Sequence, residues 1–462
     1  MLFGSLSRIG VFKKGESKML ETVAELLEEK KFAQTREILC DMNPADIGEL
    51  FNELDEKQFM LAFRLLPKEI AAEVFVEIDP DLQEQLIVGF SDNELREVLD
   101  ELFLDDAVDL VEEMPANVVK RILSHTDPDT RKMINSLLKY PKDSAGSLMT
   151  IEYVSLRTGM TVEEAFLRIR RTGIDKETIY TCYVTDDNRR LLGVVTVKAL
   201  LLSDYEDVID DIMEDNVICA LTNDDKESVA QKFSHYGLIA LPVVDSENRL
   251  VGIVTFDDAI DVLEEEATED IEKMAAITPG DKPYIKTGVF ETWLRRIPWL
   301  LLLMISATFT GKIISSFEEA LAAQVALTAF IPMLMDTGGN CGSQASVSVI
   351  RGLSLGEIKI GDILSVIWKE IRVALLCGVV LGIATFGKII LLDGYGVQLA
   401  LVVSITLVAT VFIAKVVGCS LPILAKCARL DPAVMASPFI TTIVDALALV
   451  IYFQIAAHLL HI

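Results

Sequence analysis

Cysteine is sparse. Seven are spread over 462 residues (Cys40, Cys182, Cys219, Cys341, Cys377, Cys419 and Cys427), with no CxxC pair and no metal-ligand spacing. That excludes a disulfide framework and leaves reduced thiols. Histidine is scarcer still, at four. Only His458 and His461 fall in an apolar run, at its far end, so a zinc-dependent intramembrane hydrolase lacks ligands. There is no GxxxxGK[ST] loop to bind a nucleotide fuel and no HExxH helix. The opening MLFGSLSRIGVFKKGES has too short an apolar core for a signal peptide, which predicts that the N-terminal part stays in the cytoplasm. Basic charge is also short, with 42 Lys and Arg against 70 Asp and Glu and a net charge of −28. Nucleic acid is held by basic patches, and none is present, so no nucleic-acid partner is expected.

The acidity is unevenly placed. Residues 292–462 hold 9 acidic and 11 basic side chains, leaving 61 and 31 for the first 291, which carry about −30. A surface made acidic only for solubility is one reading, and a surface that collects cations is the other.

The near-neutral part contains five apolar runs long enough to cross a bilayer as helices: Trp293–Ile314, Ala320–Ile350 with a glycine-rich interruption, Arg372–Leu391, Val397–Leu424 and Pro432–Leu460. Arg295, Arg296, Arg351, Lys359, Lys369, Arg372, Lys426 and Arg429 mark the cytoplasmic ends. The alternate loops SSFEEA and LLDGYG have no basic residue. This predicts a multipass inner-membrane protein in contact with the lipid bilayer, with its N terminus in the cytoplasm and its C terminus outside.

Ionisable groups inside such helices are functional candidates by default. Asp445, in FITTIVDALALV, lies 14 positions after Asp431, about 21 Å along a helix and deep in the bilayer. It is read as an ion ligand; the alternative is a structural carboxylate bonded to Ser, Thr or Lys415 of a neighbouring helix. Asp336 precedes Thr337-Gly338-Gly339-Asn340, where a helix break is the competing explanation. Asn340 and Gln344 add neutral oxygens suited to a hydrated cation. Asp431-Pro432 fits the N-cap and first turn of the last helix.

Residues 40–140 repeat a short pattern of apolar lead, Asn, Asp or Pro, and amphipathic turn: MNPADIGELFNEL, LPKEIAAEVFVEI, IDPDLQEQLIVGF, FSDNELREVLDEL and their successors. Asn43-Pro44, Asp79-Pro80 and Asp127-Pro128 read as helix starts, giving a stack of short helices with no catalytic constellation. Asp105 and Asp109 share one helix face. From about Ser147 a second repeat appears at a shift of 59 residues, laying CYVTDDNRRLLGVVTVKALL over LPVVDSENRLVGIVTFDDAI. Each copy predicts helix, strand, turn, strand, helix. It resembles a tandem pair of CBS modules, which implies a cleft able to take an adenine nucleotide. The pattern Gly252-Ile-Val-Thr255-Phe-Asp-Asp258 carries the ribose-binding signature, and Ala199 replaces that aspartate in the first copy. Residues 257–276 then form a helix-length run with nine acids opposed only by Lys273. Such a helix repels itself unless cations or a basic neighbour relieve it.

This order, with GGNCGSQ and the ending from Asp431-Pro432-Ala433 to Thr441-Thr442-Ile443-Val444-Asp445, resembles the MgtE family of magnesium channels over nearly the whole chain. The expected fold is a multidomain membrane protein: an all-α superhelical N domain (1–140), an α/β tandem CBS pair (141–256), an acidic connecting helix and linker (257–291), and an all-α five-helix transmembrane domain (292–462). The resemblance implies a homodimer with a pore on its two-fold axis. It places Mg2+ near Asp445 and the Thr441 carbonyl, with Asp431 at the cytoplasmic mouth. Cytoplasmic Mg2+ sites map onto Glu73, Asp105 and Asp109, onto Asp225 and Glu227, and onto Asp258, Asp261, Glu266, Glu269 and Asp270. ATP is the ligand implied for the CBS cleft. Gly237 stands where relatives can have an aspartate, which weakens one such site. The expected function is Mg2+ import down its electrochemical gradient, closed by cytosolic Mg2+, with no enzymatic activity. The alternatives are a membrane-tethered CBS nucleotide sensor and a carrier for Co2+ or Mn2+.

Overall fold

The computed structural model describes residues 19–280, 282, 284–435 and 437–461; the segment MLFGSLSRIGVFKKGES, expected not to act as a signal peptide, lies outside them. The chain divides into two compact units after Leu263.

The first unit begins with a run of short helices: Phe32–Cys40, Pro44–Glu53, Glu56–Phe63, Lys68–Glu77, Pro80–Gly89, Asp92–Leu99, Leu104–Glu113, Ala116–His125 and Pro128–Leu137. The start signals work as their chemistry requires. Asn43 accepts from the Ala45 amide, Asp55 from Lys57 and Gln58, and Asp127 from Asp129 and Thr130. Each helix is too short to bury a face alone. Alternate helices therefore pack together, Pro44–Glu53 on Lys68–Glu77, that helix on Asp92–Leu99, and that one on Ala116–His125. Phe51, Phe59, Phe63, Phe75 and Phe90 fill the interior in tilted and edge-on contacts. Arg121 donates to the carbonyls of Ile87, Val88 and Phe90, satisfying the end of the Pro80–Gly89 helix.

Two three-stranded sheets come next, β1 (Tyr153–Arg157), β2 (Thr178–Thr185) and β3 (Leu191–Thr196), then β4 (Ala220–Leu221), β5 (Ala240–Val244) and β6 (Leu250–Thr255). In each sheet the first strand runs parallel to the second and the second antiparallel to the third, with Val184 opposite Gly193 and Val243 opposite Gly252. The duplicated turns are built alike. Asp186 accepts from the amides of Asn188 and Arg190, and Asp245 from those of Glu247 and Arg249. Arg189 and Asn248 hold φ of 64° and 61° there. The turns also bond to each other, the Leu191 amide donating to the Asn248 carbonyl and the Leu250 amide to that of Arg189. The modules thus form one paired body. Gly237, at φ 62°, ends the Lys226–Tyr236 helix with its amide on the Phe233 carbonyl, so its left-handed backbone accounts for glycine there.

The helix Phe256–Met274 continues from β6. Among the described residues, four helices of the second unit are long and apolar enough to cross a membrane: Val289–Ser316, Ile360–Leu391 (opening with a 3-10 turn), Val397–Cys427 and Pro432–Leu460, which also includes a 3-10 turn. The predicted span Ala320–Ile350 is divided into a short helix Glu318–Ala323, a 3-10 segment Val325–Phe330 and a long helix Ile331–Ser354. Pro332 suits a new helix start. Polar side chains at 336, 337, 340, 343 and 344 make this long helix less apolar than the other four. The glycine-rich interruption is not found. The helix runs unbroken through Gly338-Gly339-Asn340, whose carbonyls belong to its own ladder. Its glycines serve contact instead, since a Cβ on Gly418 of the Val397–Cys427 helix would strike the Gly342 carbonyl.

Candidate cation sites

Within the membrane unit the Ile331–Ser354 helix packs against Val397–Cys427 and Ser437–Leu460. Asp336, Asn340 and Gln344 recur every four residues and form one exposed polar stripe along it. Beside the stripe, Gly339 faces Thr441 so closely that an added Cβ would sit 2.9 Å from Thr441 Cγ2. Asp445 follows one turn later on the same helix as Thr441, and Asp336 is its electrostatic neighbour. Asp445 Oδ1 is buried and receives no hydrogen bond. Lys415 does not supply one; its Nζ is buried and lies 3.5 Å from Oε2 of the partly buried Glu370. A half-buried carboxylate with an unpartnered oxygen is costly in a bilayer, and the group that relieves such a cost is a cation.

Asp431 lies outside this stripe. Its Oδ1 accepts from the Ala433 amide at 2.8 Å, capping the Pro432–Met435 turn, and its Oδ2 accepts from Lys273 at 2.6 Å. Lys273 also pairs with Glu269, and Asp270 accepts from the Ser354 hydroxyl at 3.1 Å.

The first unit holds a second concentration of acids. Asp105, Asp106 and Asp109, from the Leu104–Glu113 helix, meet Glu152 and Glu177 from the first CBS module and Asp257 and Asp258 from the start of the acidic helix. Carboxylate oxygens of Asp105, Glu152 and Glu177 lie within 4.8 Å of one another. Burial, then repulsion from Asp106, Asp258 and Glu177, pushes Asp105 well above the usual carboxylate range. Burial and neighbouring carboxylates raise Asp106, Asp109 and Glu177 to about 7. Burial lifts Asp258 to about 6, and the Thr255 hydroxyl, which donates to it at 2.7 Å, restrains the rise. Glu177 Oε2 is buried without a partner. Carboxylates crowded in this way repel one another, and a cation bound among them would lower that repulsion.

Of the sequence-derived residues, Asp105, Asp109 and Asp258 are brought together here, and Asp261 is near Glu77. Glu73 is exposed on the Lys68–Glu77 helix. Asp225 is exposed at the start of the Lys226–Tyr236 helix, and Glu227 accepts from Gln231 at 3.0 Å. Glu266, Glu269 and Asp270 belong to the membrane unit's end of the acidic helix. Sequence reasoning missed Asp106, Asp257, Glu152 and Glu177. The first two adjoin Asp105 and Asp258, whereas Glu152 and Glu177 flank β1 and β2 with no local signal.

An acidic helical repeat and a CBS pair, joined to a helical bundle with several apolar helices and a carboxylate in its interior, define a membrane transport protein rather than an enzyme. Family models match in the same order: the MgtE intracellular N domain over residues 42–143, CBS domains over 145–205 and 209–265, and the MgtE divalent cation transporter domain over 331–455. The magnesium transporter MgtE of Thermus thermophilus is 39% identical over 449 residues, covering 96% of this chain and 99% of that protein. That of Bacillus subtilis is 34% identical, covering 94% and 96%. The crystal structure of the cytosolic domain of the Mg2+ channel MgtE in complex with ATP superposes with a TM-score of 0.51 at 40% identity, covering 53% of this chain and 99% of that one. The soluble part of a magnesium transporter gives 0.51 at 30% identity, covering 55% and 99%. The chain belongs to the MgtE family of divalent-cation transporters.

Proposed function

We propose that this chain is a Mg2+ channel that imports Mg2+ into the cytoplasm and is closed by Mg2+ on its acidic cytoplasmic part. The observation that carries the reading is Asp445, whose buried, unpartnered oxygen lies in the membrane unit beside the stripe of Asp336, Asn340 and Gln344. That stripe is exposed in a single chain, so a second copy facing it across a two-fold axis encloses a polar path lined by hard oxygen donors, the kind Mg2+ prefers. An inside-negative potential supplies about 2 × 2.3 kcal/mol per 100 mV for a doubly charged ion, so no fuel is needed.

Closure is assigned to the cluster around Asp105. With Mg2+ bound, carboxylates of the N domain, the first CBS module and the acidic helix are cross-linked. Without it they repel, and the acidic helix carries the change toward the mouth at Asp431. Glu73, Asp225, Glu227, Asp261 and Glu266 extend the acidic surface available to the ion. The solved relative with ATP supports nucleotide binding in this CBS pair, with Thr255 and Asp258 at the ribose. The basic loop ends support a cytoplasmic N terminus and an external C terminus.

The test is ion flux through the purified full-length protein in liposomes, with Mg2+, Ca2+, Co2+ and Mn2+ compared and cytoplasmic-side Mg2+ varied. Asp445→Ala is expected to abolish flux. Wild-type flux from that variant refutes the conduction path, and protease sensitivity of the first unit that ignores millimolar Mg2+ refutes the sensor.

A further inference from the structure

Lys273 is the single cation among the 20 residues from Asp257 to Ala276, which carry nine acids. By charge alone the end of that helix should avoid an aspartate. It does the opposite. The Lys273 ammonium contacts Asp431 Oδ2 at 2.6 Å and Glu269 as well, and its side chain is 23% exposed. The next contacts converge on the same place: Asp270 accepts from Ser354, and Met274 packs on Ile350 and Ala433. Both Asp431 oxygens are thereby committed, one to the backbone cap and one to the ammonium. An ammonium bridging two carboxylates does what a divalent ion does there, with less charge and a covalent leash.

We propose that Lys273 is a tethered cation that competes with the transported ion at Asp431 and, in the closed state, latches the cytoplasmic mouth with no metal bound at Asp431 itself. This rests on the reading that the ion passes Asp431 on its way to the cytoplasm. While metal on the first unit holds the channel closed, the ammonium occupies Asp431; when that metal is lost the acidic helix withdraws with Lys273, and Asp431 is free to take the ion. When metal binds the first unit again, the ammonium returns and excludes the ion from Asp431. Closure thus has a component set by Lys273 in addition to any set by metal on the first unit.

The test uses the full-length protein in liposomes and reads the ratio of Mg2+ flux at low to that at high cytoplasmic-side Mg2+. Lys273→Met is expected to raise the residual flux under closing conditions by about fivefold, the scale of one partly buried charge-assisted pair. Lys273→Glu should raise it further, Lys273→Arg should keep the wild-type ratio, and Lys273→Glu with Asp431→Lys should recover part of the ratio. Size-exclusion profiles confirm that each variant is folded. A wild-type ratio in both Lys273→Met and Lys273→Glu overturns the latch, as does loss of the ratio in Lys273→Arg. Asp445→Ala separates the two ideas: normal flux in that variant defeats the conduction path, whereas an unchanged ratio at Lys273 defeats only the latch.

Discussion

Replacing Asp106 with Asn removes one charge from the most crowded carboxylate set without changing its shape. Asp106 has its ordinary value of 3.8 raised to about 7 by burial and by Asp258, Asp257, Glu152 and Glu77. A folded-state value above the unfolded one means that the folded form holds the proton more tightly. The wild-type side chain therefore costs stability at pH above 7, and the cost fades as pH falls toward 3.8. Between 3.8 and 7 the linkage amounts to on the order of 4 kcal/mol at pH 8 and about 2 kcal/mol at pH 5. In Mg2+-free buffer at pH 8 the variant should be the more stable protein. Amide hydrogen exchange on the full-length protein, followed in peptides covering Leu104–Glu113, should show protection more than tenfold above wild type. The gap should narrow at pH 5. Saturating Mg2+ should narrow it too, because the ion stabilises the wild-type cluster by mass action. Equal or lower protection of the variant at pH 8 without Mg2+ would refute the claim that these carboxylates store repulsion.

Three further substitutions probe the membrane unit and its acidic lead-in. Lys415→Met leaves Glu370 buried and unpaired and should cost about 3–5 kcal/mol, seen as a lower melting temperature in detergent; Lys415→Met with Glu370→Met should recover most of it. Gly418→Ala drives a methyl group into the Gly342 carbonyl and should cost at least about 1–3 kcal/mol, whereas Gly311→Ala, with open space around it, should change the melting temperature little. A glycine pair replacing Glu265 and Glu266 weakens the acidic helix by about 1–2 kcal/mol and should blunt the response of flux to cytoplasmic-side Mg2+, while flux at low Mg2+ persists.

Much of the fold was legible because it is written in local chemistry. Asn43-Pro44, Asp79-Pro80 and Asp127-Pro128 each open a helix as read, Asn43 and Asp127 with side-chain caps, and the 59-residue repeat dictates two sheets of equal order. The unbroken helix through Gly338-Gly339-Asn340 was not legible, because a glycine pair signals a break and a close contact equally well. Only the facing helix decides between them. The carboxylate cluster was half legible for a similar reason. Asp105 and Asp109 share a helix face, but Glu152 and Glu177 join them through tertiary structure, from the residues just before the parallel strands β1 and β2. The pairing of Lys415 with Glu370 spans 45 positions and carries no periodic signal.

The two matching turns at Asp186 and Asp245 set off the asymmetry of the head. Both copies keep an aspartate with the same pair of amide bonds, and the two turns clasp each other through reciprocal backbone bonds. The helix after β3 has Ala199 where the helix after β6 has Asp258. The two scaffolds clasp each other at the turns, whereas their rims differ. One rim carries Ala199, and at the other Asp258 meets carboxylates from the preceding domain and Glu177 of the first module.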